Sequence, residues 1–137
     1  MSDLKRRRLK GRSASESHVR LYRHELESPA WRTLTPNARA LLVELRSLYP
    51  YTDGNIVFLS IREAEKRLGI SQKPVQAAFA ELVERGWITV HKPGGFSRKT
   101  PHATSYRLEN EPPSESPGAV PTKRFMRWRP DEEQEAA

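Results

Sequence analysis

Gln72, Lys73 and Gln76 are polar side chains in a short stretch, "ISQKPVQAAFAEL", residues 70–82. A glutamine amide carries a donor and an acceptor side by side and can form a bidentate pair with an adenine edge. A lysine next to the free N–H groups of a helix start can hold a phosphate. Ser71 adds a hydroxyl. Ala77 and Ala80 add almost no bulk, so a helix carrying them can approach a groove closely, and an alanine methyl can touch a thymine methyl. Glu81 and Glu84 follow and would repel phosphates, so contact is expected in the first two helical turns only.

Three other groups of cations have the same chemistry. Lys92, Arg98 and Lys99 flank Gly94, Gly95 and Phe96 in "KPGGFSRKTPH". The glycine pair reads as a flexible tip that permits close backbone approach, with the cations set for phosphates or a minor groove. Lys5, Arg6, Arg7, Arg8, Lys10 and Arg12 form a basic N-terminal run that would track a nucleic-acid backbone. In "TKRFMRWRP", Phe125 and Trp128 stand among Lys123, Arg124, Arg127 and Arg129. Such a segment could stack on unpaired bases or dock, through Phe125 and Trp128, on a partner protein or on the chain itself.

Chemistry that makes and breaks bonds finds little support. The chain has four histidines, His18, His24, His91 and His102, and no cysteine. The histidines lack metal-site spacing. No phosphate-cradling glycine loop, no Gly-x-Ser-x-Gly elbow and no convincing carboxylate pair is present. The expectation is a protein that is not an enzyme and uses neither metal nor cofactor. The lack of cysteine also fits a reducing, cytoplasmic setting.

The 137 residues suffice for one domain with a modest core. No apolar run nears the roughly 20 residues needed to span a bilayer, so no membrane partner is expected. Net charge is +7. Residues 1–24 hold eight Lys/Arg against two Asp/Glu, residues 25–111 twelve against ten, and residues 112–137 four against five. The excess lies in the N-terminal arm, where it suits a polyanion.

These side chains need elements to position them. Residues 1–17 have few apolar side chains and read as a disordered arm. Val19, Leu21, Leu26, Trp31 and Leu34 mark an ordered lead-in over a core. Thr35 and Pro36 open a helix, as an N-cap hydroxyl and a proline at the first helical position. Ala38, Leu41, Leu42, Leu45 and Leu48 continue it on one stripe up to Pro50. "NIVFL" is a short strand. Ser60 and Glu63 make a capping box for a second helix, with Ile61, Ala64 and Leu68 inward and Gly69 as its stop. Ser71 caps a third helix, with Val75, Ala78, Phe79, Leu82 and Val83 inward and Gly86 beyond its end. Pro74 falls at the third helical position, where a missing N–H breaks no helical bond. "WITVH" and "ATSYRL" are the strands of a hairpin. Trp31, Trp87 and Tyr106 read as core. "ENEPPSESPGAVP" is a linker to the basic–aromatic patch and an acidic end.

Two helices joined by a tight turn and followed by a hairpin form a winged helix-turn-helix arrangement. "LGISQKPVQAAFAELVERGWI" resembles the winged helix-turn-helix of bacterial regulators of the GntR type. The wider span 31–108 resembles winged-helix proteins of phages and mobile elements, replication-associated ones included. The resemblance implies a mainly α fold with a small β-hairpin: a three-helix core plus wing over residues 18–108, a flexible basic arm before it and a tail over 109–137. It implies sequence-specific binding of double-stranded DNA, as a transcription regulator or a replication-origin binder. The alternative is a protein-interaction module using the winged-helix surface or the 123–129 tail. Base reading falls to Ser71, Gln72, Lys73, Gln76, Ala77 and Ala80. Phosphate contacts fall to the wing cations Lys92, Arg98 and Lys99 and to the arm. A homodimer stays open. No effector domain of the GntR type follows, so ligand sensing is not expected. Glu65 stands where such units usually place a small residue, and must turn its carboxylate outward or splay the helices.

Overall fold

The computed structural model describes residues 16–49, 54–97, 100–114 and 116–131. Two four-residue helices, α1 (Arg23–Leu26) and α2 (Pro29–Arg32), open the described chain. The Glu25 carboxylate accepts the Tyr22 N–H, and the Ser28 hydroxyl accepts the Trp31 N–H at the start of α2. These local caps hold helices too short to stand by propensity. Of the expected lead-in contacts, Leu34 is buried, Leu21, Leu26 and Trp31 are half-buried, and Val19 is exposed.

Helix α3 (Pro36–Arg46) starts as its sequence dictates. The Thr35 hydroxyl accepts the Ala38 N–H at 3.3 Å, and Pro36 occupies the first position. Ala38, Leu41, Leu42 and Leu45 are all buried. The helix ends at Arg46, earlier than Pro50. Helix α4 (Ile61–Leu68) is capped by Ser60, whose hydroxyl accepts the Glu63 N–H at 3.0 Å. Gly69 then takes φ 68°, a left-handed turn costly to any residue with a Cβ, and its N–H closes on the Glu65 carbonyl.

Helix α5 (Gln72–Glu84) starts after Ser71, which has the extended backbone of an N-cap. Its hydroxyl makes no cap bond, contrary to expectation. Val75, Ala78, Phe79 and Leu82 are buried, whereas Val83, expected inward, is exposed.

Strand β1 (Ile56–Phe58), strand β2 (Ile88–Lys92) and strand β5 (Ser105–Leu108) form an antiparallel sheet in the order β1-β5-β2. Between β2 and β5, β3 (Gly95–Ser97) and β4 (Thr100–His102) pair as a second ladder. The segment expected to be a loop therefore continues as paired strands out to Ser97 and Thr100. The Gly94–Gly95 pair lies at the base of this ladder and not at its tip. Gly95 faces His102, and the Gly94 N–H donates to the Thr104 hydroxyl at 2.8 Å.

Trp87 is the centre of one end of the core. It is fully buried, stacked on Phe125 at 4.1 Å and 7°, and met edge-on by Trp31 at 6.0 Å. Its indole N–H donates to the Ala30 carbonyl. Phe125 comes from a 3-10 turn, η1 (Arg124–Arg127), so the chain after β5 returns to the core. Gly86 has φ 82°, and a Cβ there would lie 3.0 Å from the Arg124–Phe125 backbone. The turn and the close approach both require glycine.

Beneath Trp87 lies a buried ion pair. The Arg46 guanidinium donates to both Glu25 carboxylate oxygens, at 3.0 and 2.6 Å, and to the Arg20 carbonyl. Its carbon sits 5.7 Å from the Trp87 ring. The pair ties the lead-in to α3. Asn55, also buried, donates to the Leu108 carbonyl and accepts from Arg107, which ties the start of β1 to β5. Among the described residues, no helix is long and apolar enough to cross a membrane.

Candidate nucleic-acid interface

The outward face of α5 begins at its N-terminus. Ser71, Gln72, Lys73, Gln76, Ala77 and Ala80 are all exposed there. Within the helix, Gln72, Lys73, Gln76, Ala77 and Ala80 share one side because their spacing opposes Val75, Ala78, Phe79 and Leu82, which face the core at helical period; Ser71 precedes them as the extended N-cap. Pro74 is half-buried on the flank. The face is rigidly backed: Phe79 stacks on Tyr106 of β5 at 5.0 Å and 16°. Burial pushes the Tyr106 hydroxyl pKa above the usual tyrosine value, so it stays neutral.

The two acids on α5 are engaged within the fold. Glu81 accepts the Thr35 N–H at 2.9 Å and the Thr35 hydroxyl at 2.7 Å. Its charge is thus spent at the positive end of α3, where an anion is favoured. Glu84 pairs with Arg85 at 3.2 Å. The first two turns of α5 therefore present amides, one ammonium, a hydroxyl and methyls, and no carboxylate of that helix. On α4, Ala64 is fully buried, while Glu65 is half-buried beside it.

Helix α4 contributes cations that the sequence reading did not single out. Arg62 and Lys66 are exposed on the side opposite Ala64. Arg67 is partly neutralised by Glu44 and Glu63, each at 3.4 Å. The signal was available in the helical spacing, since Arg62 and Lys66 stand two positions either side of Ala64.

On the hairpin, Lys92 is exposed at the end of β2, with its backbone N–H on the Ser105 hydroxyl. Arg98 and Lys99 lie outside the described residues, between β3 and β4 in sequence. Lys5, Arg6, Arg7, Arg8, Lys10 and Arg12 also lie outside them, as does the acidic end from residue 132. Phe125 and Trp128 dock on this chain: Phe125 is fully buried, and the half-buried Trp128 carries the Arg85 guanidinium 4.9 Å from its ring. Neither the Phe125 ring nor the covered face of Trp128 is free for a partner.

Three of the histidines make local contacts. His18 accepts from Arg20, His24 stacks on Tyr22, and His91 bonds to the Ser105 hydroxyl. No group of three metal-ligating side chains occurs among the described residues.

No curated protein and no solved structure matches the chain. Residues 32–88, from the last residue of α2 to the first of β2, match the family model described as a helix-turn-helix domain. Within the matched stretch, α4 and α5, joined by the Gly69 turn, have the arrangement of a helix-turn-helix.

Proposed function

We propose that the chain binds double-stranded DNA in a sequence-dependent way, with α5 in the major groove and the β2–β5 hairpin serving as the wing. The carrying observation is the exposed N-terminal face of α5: Gln72, Lys73, Gln76, Ala77 and Ala80 on a rigid support, with Glu81 turned away to Thr35. A major groove about 12 Å wide accepts a helix with so little bulk on its face. Gln72 and Gln76 read bases. Lys73, Lys92, Arg98, Lys99 and the basic arm hold phosphates. The protein acts by occupancy and not by catalysis, as a transcription regulator or a replication-origin binder, in the cytoplasm of a bacterium or in cells carrying a phage or mobile element.

Selection from a random duplex library tests this reading. A preferred sequence should emerge, and a palindromic one would mark a dimer, because half-sites mirror protein symmetry. Gln76→Ala should flatten the preference at one position, by about 1–3 kcal/mol of discrimination. Lys99→Ala should weaken all sequences alike. No duplex binding at micromolar protein and about 50 mM salt, where even non-specific contacts register, would sink the reading.

A further inference from the structure

The 123–129 segment sorts its side chains by chemistry. Its aromatic members turn inward, Phe125 onto Trp87 and Trp128 beneath Arg85. Its cations turn outward: Lys123, Arg124 and Arg127 are exposed. A 3-10 helix has three residues per turn, so Arg124 and Arg127 stand on one face of η1. Each touches only neutral acceptors, Arg124 the Thr89 hydroxyl at 3.4 Å and Arg127 the Thr122 carbonyl at 3.0 Å. Among the described residues, no carboxylate pairs with either.

The seat beneath them is fixed. Glu109, buried, accepts from the hydroxyls of Thr89 and Thr122, and its carbonyl accepts the Lys123 N–H at 2.9 Å. The backbone of Arg124 and Phe125 presses on Gly86. The cations are thus preorganised, which lowers the ordering cost of binding.

The geometry points to a second phosphate-binding surface: Lys123, Arg124 and Arg127 take the backbone of a second segment of duplex DNA, apart from the segment met by α5. This rests on the DNA-binding reading above. The η1 turn lies against Gly86, beyond the C-terminal end of α5, and the reading face is at the other end. Thirteen helical residues separate the two by about 20 Å. A nucleic-acid partner fits better than a protein. Stable protein contacts centre on exposed aromatic or aliphatic anchors, and here Phe125 is consumed by the chain's own core and one face of the half-buried Trp128 is covered by Arg85. The exposed side chains of the turn itself are mainly cations, which suit a polyanion.

The test uses the full chain and two duplexes, one on beads and one free and labelled. Wild type should bind the bead duplex and capture the labelled one. Arg124→Gln/Arg127→Gln should bind the bead duplex within about threefold of wild type and lose at least tenfold of the capture. Its affinity for a long duplex should also depend less on salt, the log–log slope falling by about two for two lost phosphate contacts. Arg124→Lys/Arg127→Lys should restore both readouts, because an ammonium still pairs with phosphate. Loss on the long duplex without loss of capture places the second segment on the flank of the same molecule and supports the proposal. Unchanged capture together with an unchanged slope overturns it. Failure of wild type to bind the bead duplex at all overturns the DNA-binding reading itself, a distinct result. Thermal melting of each variant separates lost contacts from lost fold.

Discussion

The carboxylate of Glu81 holds the N–H and the hydroxyl of Thr35, so one side chain of α5 fastens the first residue of α3. Its worth is that of a charge-assisted bond at a partly exposed site, about 1–2 kcal/mol. Glu81→Ala should lower the free energy of urea unfolding by that amount with the slope unchanged. It should weaken duplex binding much less than Gln76→Ala weakens discrimination, and a larger loss of binding would mean that Glu81 positions the reading face directly. In the sequence Glu81 reads as a repelling charge at the far end of a contact surface. Helical spacing says which side a residue is on, but not which of the other elements lies there. The same gap hides Glu25 and Arg46: nothing local in "RHEL" or "VELR" marks two charges that meet in the core.

Elements divide by how local their signals are. Thr35–Pro36, Ser60 and Gly69 act within three or four residues of themselves, and each caps or ends its helix as its type dictates. The stripe of Val75, Ala78, Phe79 and Leu82 on α5 was legible for the same reason, with Val83, which is exposed, misassigned to it. The sheet was less so. That β1 pairs with β5 depends on contacts across some fifty positions, and Gly94–Gly95 looks like a hairpin tip until the ladder is seen to run past it. The return of the tail was the hardest to read, because its anchor is a single aromatic after a Pro/Ser-rich stretch. That anchor makes a clear prediction. Phe125→Ala removes a fully buried ring from its stack on Trp87 and should cost about 3–5 kcal/mol in chemical denaturation. An effect below about 1 kcal/mol would mean that the turn is a loosely held appendage.

Over the whole molecule, net charge is unevenly spread along the sequence. The helix-turn-helix region is close to balanced, while residues 1–24 hold eight Lys/Arg against two Asp/Glu. If the six arm cations at positions 5–12 all neutralise phosphates, deleting residues 1–15 should flatten the salt dependence of duplex binding by up to about five in log–log slope. The order of preference among sequences should stay as it is, since that belongs to α5. A reordering of preferences in the truncated chain would move base reading into the arm.

The crowding of Trp31, Trp87 and Trp128 around the far end of α5 has an optical consequence. The chain has three tryptophans. One is sealed between a phenylalanine and a second indole, and another lies under a guanidinium. Intrinsic fluorescence is therefore a reporter of that one pole. It registers whether η1 is seated. It is a poor reporter of events at Gln72 and Gln76, a helix length away, and would change when something arrives beside the half-buried Trp128.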